Sequence, residues 1–376
     1  MQHARVISGP RLPGSPGEAR AAGYVAAVLR RLGLAPRVES FRAVADTNWF
    51  PISAALATLA GLAAFPWSGW LGVALAAAAP VLLWYAFTRA DSPIRALLPQ
   101  VESRTVWVRI PPRGEPKGVV ALLAHLDANR CRLAWRAGGG RAIRLGSALT
   151  LFVGATVPAL LAIAALAGRP GPYLAALLGG GYALANAAVL LWELRLPPSP
   201  GANDNAASVA VALALAERII EAPLEHTEVW LLFTGAEESD HRGIKEALRR
   251  HPELAEARFL VLEGVGAGEL SYLTREGVLV PYRPAPELLG LVAQVGRRSG
   301  VEGREMTVVC ETQTLRRWGL PAVTIAGYDP EARSLPHWHT CQDAPENLSP
   351  GAMSRALDFL GTLLHALDRA NGTGLL

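Results

Sequence analysis

The stretch EVWLLFTGAEE, residues 228–238, decides the fold of this chain. Residues 229–233 are β-branched, aromatic or aliphatic, which is typical of a buried strand. A Thr-Gly pair interrupts this pattern, and the adjacent carboxylates of Glu237 and Glu238 follow it. Open α/β sheets bind ligands just beyond the carboxyl ends of their strands. The acidic pair is therefore either a solvated turn, which is the commoner case, or part of a binding site.

Strands and helices alternate through the polar parts of the chain. This alternation predicts an α/β fold with a mixed, mostly parallel sheet and helices on both faces. Strands are predicted at 37–44, 104–110, 118–124, 228–233, 258–262 and 319–327, and helices at 16–33, 206–221, 240–250, 285–299 and 349–370.

Apolar residues are concentrated in a few long segments. The 376 residues are 51% hydrophobic and only 18% charged. Charged residues are absent from Thr47–Thr88, Leu145–Gly168 and Pro170–Trp192, and a helix of roughly 20 apolar residues is long enough to cross a membrane. Helices of a large soluble core would show a polar stripe, which these segments lack. We predict four inserted transmembrane helices in two hairpins, near 48–65, 69–88, 145–168 and 170–192, the first being short enough to be re-entrant instead.

The two hairpins, 47–88 and 145–192, divide the chain into domains. The remaining segments 1–46, 89–144 and 193–376 are predicted to form one discontinuous domain, with the basic stretch 132–144 along the membrane surface. Arginines are frequent in the first two of these segments, and such a bias predicts a multi-pass membrane protein with its polar domain on the cytoplasmic side. We interpret these arginines as contacts to the lipid bilayer, since no nucleic-acid motif accompanies them.

The termini and the cysteines bear on the compartment. No apolar run is present in residues 1–17, so no signal peptide is predicted. Cys131, Cys310 and Cys341 form no spacing motif and leave one cysteine over, so we expect no disulfide framework and a reducing compartment.

Imidazole and carboxylate side chains follow several of the predicted strands. In an open sheet these strand ends share one rim, and nitrogen and oxygen donors suit Zn²⁺ and similar divalent ions. Five ligands around two metals require one bridging carboxylate, and we expect it from a stiff Pro/Gly loop. The candidate ligands are His125, Asp204, Glu238, Glu263 and His339, with Asp204 as the bridge.

Two further carboxylates have candidate roles beside these ligands. Asp127, two residues after His125, is placed to fix the orientation of the imidazole. Glu237, next to a ligand but free, is the candidate general base for a metal-activated water. Each residue alone also has an ordinary interpretation as a core histidine, a helix cap or a surface acid. Their shared order and location favour the joint interpretation.

Six motifs, taken in this order, resemble the M28 family of zinc aminopeptidases and carboxypeptidases. The resemblance covers the polar domain from about residue 16 to residue 370 and excludes the apolar segments. The motifs are HLD at 125–127, PGANDNAASVA at 200–210, FTGAEE at 233–238, LEGVGAG at 262–268, GLPAV at 319–323 and HTCQDAPEN at 339–347.

The resemblance implies the hydrolase-like M28 fold and two zinc ions, other divalent metals being possible. It implies that His125, Asp204 and Glu263 bind one ion and that Glu238 and His339 bind the other, with Asp204 bridging. Glu237 matches the catalytic base, Asp127 matches the residue that supports His125, and a cis peptide is implied after the bridging Asp204.

Besides the predicted membrane hairpins, which interrupt the domain between the first strands and between His125 and Asp204, two departures from the family pattern are visible. The position of Glu263 is more often Asp in the aminopeptidases. The segment 310–314, CETQT, lacks the Asp-His pair expected before GLPAV. The second departure affects the expected substrate recognition.

We therefore expect a membrane-embedded di-zinc peptidase or amidohydrolase, an aminopeptidase by default, acting on a peptide or a membrane-associated amide. Three alternatives remain open at this point. One is a hydrolase of a lipid-linked amide, and another is a catalytically silent membrane scaffold with the same fold. The third is a single-zinc cyclising transferase like the glutaminyl cyclases, which do not use a ligand of the His125 type.

Overall fold

The computed structural model describes residues 1–136 and 139–374. Eight strands lie within these residues. They are β1 Arg37–Val44, β2 Gln100–Ile110, β3 Gly118–His125, β4 Thr227–Thr234, β5 Ala257–Glu263, β6 Glu269–Arg275, β7 Glu302–Glu305 and β8 Ala322–Tyr328.

The helices in the same residues alternate with these strands. They are α1 Gln2–Ile7, α2 Pro16–Arg31, α3 Trp49–Ala64, α4 Gly69–Thr88, α5 Leu133–Arg136, α6 Gly139–Ala167, α7 Pro170–Glu193, α8 Ser208–Glu221, α9 Glu237–Asp240, α10 Arg242–Arg250, α11 Pro286–Ser299, α12 Glu311–Arg317 and α13 Pro350–Thr373. A π-helical turn, Ala202–Ala207, directly precedes α8.

All eight strands belong to one sheet in the order β1-β2-β4-β3-β5-β8-β6-β7. The pairs β3/β4, β3/β5, β5/β8 and β6/β7 are parallel, whereas β1/β2, β2/β4 and β6/β8 are antiparallel. The predicted mixed sheet is confirmed. Its three central strands β4, β3 and β5 run in the same direction, so their carboxyl ends form one rim.

Alternate residues of the central strands face two separate hydrophobic cores. In β4, Leu231 and Phe233 pack with residues of α2, α8 and α13, while Trp230 and Leu232 pack with residues of α10 and α12. Full burial of such a side chain stabilises the fold by about 1.5–3 kcal/mol. The alternation places helices on both faces of the sheet, as predicted.

The start of the third predicted membrane helix differs from the structure. Helix α6 begins at Gly139 and not near residue 145, so the part of the basic stretch 132–144 that follows Gly139 is the first turns of this long helix. Leu133–Arg136 forms the short α5, and residues 137 and 138 lie outside the described residues. Because the charged residues Arg141 and Arg144 lie in these turns, the uncharged run from which the helix is predicted begins only at residue 145.

The apolar helices α3, α4, α6 and α7 form a separate bundle. Helix α3 packs against α4 and α7, and α6 packs against α4 and α7. Helices α3 and α4 approach each other closely in their hairpin. A Cβ added at Gly61 would lie only 2.6 Å from the Gly72 carbonyl oxygen. Small residues at such crossings let two helix backbones approach closely.

Three of these helices, α4, α6 and α7, are long and apolar enough to cross a membrane by length and composition. Helix α3 has 16 residues, or about 24 Å at 1.5 Å per residue, against a hydrocarbon core of about 30 Å. The first predicted crossing, near 48–65, is therefore not borne out by its length, and the other three are supported by length and composition only. Large apolar side chains point outward from the bundle, among them Trp67 and Leu178 at more than four-fifths exposure, and an exposed apolar surface of this kind marks an interaction site.

Candidate metal centre

The central strands place the predicted site residues at one rim of the sheet. His125 is the last residue of β3 and Glu263 is the last residue of β5. Glu238 lies in α9, just after the end of β4. Asp204 comes from the π-helical turn before α8, and His339 comes from the loop between β8 and α13.

These five side chains form two donor groups that share one residue. In the first group, His125 Nε2 lies 3.1 Å from Asp204 Oδ1 and 3.3 Å from Glu263 Oε1. In the second, His339 Nε2 lies 3.3 Å from Asp204 Oδ2 and 3.1 Å from Glu238 Oε2. Asp204 therefore turns one oxygen toward each imidazole, which is the arrangement that a bridging carboxylate requires.

The donor groups fit a pair of zinc ions. Tetrahedral ligands at 2.0–2.1 Å from a metal lie about 3.3 Å from one another, which is close to the measured donor separations. All five residues are buried, and Glu263 Oε2 has no hydrogen-bond partner among the described residues. Buried carboxylates without compensating charge are costly, so divalent cations would stabilise this cluster.

The burial of several carboxylates close together also shifts the pKa values of the cluster. Burial alone would lower the pKa of His339, but the carboxylates of Glu238 and Asp204 raise it to about 9. Burial raises the pKa of Glu263 well above its usual range, against the opposing effect of His125. The site thus favours extra positive charge, and bound divalent ions supply such charge without protons.

Glu237 lies beside the donor groups without belonging to the two that share Asp204. Burial raises the pKa of its carboxyl to about 7, opposed by the charge of His125. The imidazole of His241, one helical turn further along, lies 3.1 Å from Glu237 Oε1. The arrangement places a carboxylate of near-neutral pKa next to the cluster, as a general base requires.

Asp127 supports both sides of the rim with different atoms. Its backbone oxygen lies 3.0 Å from His125 Nδ1, whereas its carboxylate is 3.7 Å from that nitrogen. The carboxylate instead accepts the backbone N–H groups of Glu237 and Glu238 at 3.1 and 3.0 Å. The predicted orienting contact to His125 is thus made by the Asp127 backbone, and the carboxylate fixes the acidic pair.

The backbone after Asp204 is cis, as the resemblance implied: the bond Asp204-Asn205 is a non-proline cis peptide.

Comparison with known proteins was made for both the sequence and the fold. Residues 192–364 match the model of peptidase family M28. This segment belongs to family M28. It contains Asp204, Glu237, Glu238, Glu263 and His339, whereas His125 lies before it. No curated protein matches the sequence.

Solved structures with the M28 fold resemble the whole chain. A glutaminyl cyclase from Bacteroides thetaiotaomicron, bound to N-acetylhistamine, is 14% identical with a TM-score of 0.58, covering 97% of this chain and 94% of that one. An aminopeptidase from Aneurinibacillus sp. strain AM-1 is 14% identical with a TM-score of 0.58, covering 97% and 92%. A zinc aminopeptidase from Bacillus subtilis is 13% identical with a TM-score of 0.56, covering 97% and 94%. At these identities the likeness shows a common fold.

Three residues that the sequence did not indicate hold the candidate ligands in place. The carboxylate of Asp343 accepts the backbone N–H groups of Asn203 and Asp204 at 2.6 and 3.1 Å. The Asn129 amide donates to Glu238 Oε2 at 2.6 Å. Buried Arg11 donates to five backbone carbonyls, which include those at 126 and 201. A lone Asn, Asp or Arg in a loop has no sequence signature of such a role.

A network of charges connects the site to the apolar helices. Asp46, three residues before α3, accepts from Arg130 Nε at 3.1 Å and from Arg132 Nη2 at 2.8 Å. Arg132 Nε also donates to Asn129 Oδ1 at 2.8 Å, and Asn129 contacts the candidate ligand Glu238. At the end of α7, the Glu193 carboxylate accepts the backbone N–H of residue 133 at 3.1 Å. The loop 129–133 thus joins the ligands to the ends of two inserted helices.

The prediction of no disulfide is wrong. Cys131 and Cys341 are joined, with their Cα atoms 5.5 Å apart and a separation of 210 positions in sequence, and Cys310 is free and buried. So large a separation gives no spacing motif, because the fold alone brings the two loops together. The bond lies two residues from His339 and joins its loop to the loop that carries Asn129.

We expect removal of this disulfide by the double substitution Cys131→Ser and Cys341→Ser to lower the stability of the protein by about 2–5 kcal/mol, because an open chain of this length gains entropy on unfolding. Thermal unfolding of the purified protein measures the change. Cys310→Ala is the matched control, since it removes a buried thiol and no cross-link. Equal midpoints for the double variant and the unsubstituted protein would contradict a stabilising bond.

Proposed function

We propose that this protein is a membrane-embedded di-zinc amide hydrolase of the M28 type that acts as an aminopeptidase. The observation that carries the proposal is the position of Asp204, whose two oxygens face His125 and His339 at 3.1 and 3.3 Å. His125, Asp204 and Glu263 would hold one zinc ion, and Asp204, Glu238 and His339 the other. Bound zinc supplies polarisation of the amide carbonyl and of a nearby water.

The remaining steps are performed by groups of this chain. The Glu237 carboxylate accepts a proton from the water that attacks the amide carbon, and then donates it to the leaving nitrogen. The C–N bond breaks, one water is consumed, and a carboxylic acid and an amine are released. The N–H groups of Glu237 and Glu238, both bonded to Asp127, keep the base and the ligand beside each other.

The proposal includes the division of the chain into a discontinuous peptidase domain of 1–46, 89–144 and 193–376 and two inserted hairpins of 47–88 and 145–192. Support comes from the separate packing of the four apolar helices and from their exposed apolar side chains. The arginines near the hairpins predict a cytoplasmic polar domain. The disulfide, in contrast, is typical of an oxidising compartment. The side of the membrane on which the polar domain lies is therefore not part of the proposal.

Metal content and its link to activity test the function. We expect detergent-purified protein to contain two zinc ions per chain and to hydrolyse leucine p-nitroanilide. Chelation with 1,10-phenanthroline should abolish the activity and added zinc should restore it. Without zinc the amide carbonyl is no longer polarised, and the proton transfers through Glu237 depend on that polarisation. Elemental analysis and absorbance of released nitroaniline are the measurements.

Two other outcomes identify the alternatives. Purified protein without bound metal and without activity would indicate a silent scaffold. The structural likeness to glutaminyl cyclases makes cyclisation of a peptide with an N-terminal glutamine the second activity to assay. The donor group around His125 favours hydrolysis, since glutaminyl cyclases are expected not to use a ligand of the His125 type.

A further inference from the structure

A cavity of about 500 Å³ connects the candidate metal centre to the bundle of apolar helices. Its floor includes Glu237, Glu238 and His339. Its walls come from the polar-domain ends of the bundle, including Phe87 of α4 and Val189 of α7. The reacting groups and the inserted helices therefore line the same space.

The cavity is long in one direction. Along α7 it is lined from Tyr182 to Glu193, eleven residues apart, or about 16 Å at 1.5 Å per residue. Along α6 it is lined from residue 142 to Thr150, or about 12 Å by the same measure. An occupant with its amide at Glu237 would therefore extend well beyond a single amino-acid side chain.

The walls suit a hydrocarbon chain better than a peptide. Each peptide unit carries an N–H and a C=O that need partners when buried. Four polar side chains on the walls are already paired with one another: Thr150 bonds Tyr182 at 2.8 Å, and the Asn48 amide donates to Glu193 at 3.1 Å. A hydrocarbon needs no such partners and gains from leaving water.

The cavity also opens toward the outer apolar surface of the bundle. Gly146 and Val189 line the cavity and are exposed as well. Leu145 and Leu149, next to Gly146 on α6, are exposed large apolar side chains. A chain dissolved among lipid tails would reach the site along this surface without crossing water.

We propose that this cavity binds the hydrocarbon tail of an amphiphilic amide, so that the substrate is an amide whose leaving amine carries a long alkyl chain. The proposal rests on the hydrolase function above and specifies its substrate class. Water adds across the amide C–N bond, the acyl carbon becomes a carboxylic acid, and the alkylamine leaves with the proton from Glu237.

The test compares leucine butylamide with leucine dodecylamide, measured by released leucine from the full chain in detergent. Burial of each methylene is favourable, so we expect kcat/KM for the dodecylamide to exceed that for the butylamide by at least about 100-fold. Equal values for the two amides would overturn the proposal and leave the hydrolase function intact. Cleavage of leucine p-nitroanilide but of neither alkylamide would also overturn the tail site alone, whereas cleavage of none of the three amides would overturn the hydrolase function itself.

Two glycines provide a matched pair of variants. A Cβ at Gly146 or at Gly181 would meet no atom within 4 Å, but of the two only Gly146 lines the cavity. Gly146→Phe should lower the dodecyl-to-butyl ratio at least about tenfold, as expected for a lost binding volume of several methylenes. Gly181→Phe, on α7, should leave the dodecyl-to-butyl ratio unchanged. This variant also controls for partitioning of the amides into micelles. An unchanged ratio in Gly146→Phe, or an equal loss in both variants, would contradict the tail site.

Discussion

Replacement of Glu237 by glutamine is expected to lower kcat for leucine p-nitroanilide by about 100- to 10,000-fold, or about 3–5 kcal/mol in the barrier. Glutamine has nearly the same shape as glutamate but accepts no proton, so the water would lose its base. Because Glu237 lies outside the two donor groups that share Asp204, bound zinc should remain at two ions per chain. Steady-state rates and elemental analysis of the same sample measure both quantities.

Glu276→Gln is the matched control for this experiment. Glu276 is also a buried carboxyl, and burial raises its pKa to about 8 against the effect of its hydrogen bond with Thr324. It belongs to neither donor group, so its replacement should preserve both zinc and turnover. If Glu237→Gln kept the full rate, another group would have to act as the base.

Replacement of Asp204 by alanine should remove both metal ions and reduce hydrolysis to background. Asp204 belongs both to the group with His125 and Glu263 and to the group with Glu238 and His339, so its loss leaves two side chains in each of these groups. Elemental analysis gives the metal content, and circular dichroism checks that the fold remains.

A surface carboxylate provides the comparison for that variant. Asp358 is exposed on α13, pairs with Arg218 at 2.8 Å and belongs to neither donor group. Asp358→Ala should retain both ions and full activity. A variant of Asp204 that still bound two zinc ions would remove the bridging role from the proposal.

The central part of the fold was predictable because its physical signals are local. Strands β3, β4 and β5 are rich in apolar residues. Strand β3 ends at His125 and β5 ends at Glu263, and the acidic pair follows shortly after the end of β4. Once these strands are parallel neighbours, the meeting of His125, Glu238 and Glu263 follows from sheet geometry.

The edge of the sheet lacked such signals. Strand β7, with the sequence EGRE, has no buried residue and no apolar pattern. Its strand conformation comes from pairing with β6 at the edge of the sheet. Helix α12 is only seven residues long and mostly polar, so its periodicity is too short to detect.

The supporting contacts of the site were unpredictable for a different reason. The bonds from Asn129 to Glu238 and from Asp343 to the Asp204 loop join residues more than 100 positions apart. The disulfide joins residues 210 positions apart. Such partners are chosen by the tertiary structure, and a single sequence carries no local trace of them.

The link between Asp46, the two arginines and Asn129 has a mechanical consequence for the proposed embedding. Helix α3 follows Asp46 closely, and α7 ends at Glu193, so a tilt of either helix pulls on the loop that touches Glu238. Helices tilt when the hydrophobic thickness of a bilayer does not match their length. In the proposed membrane enzyme, the geometry of the candidate ligands, and with it the turnover rate, would then depend on the thickness of the host bilayer.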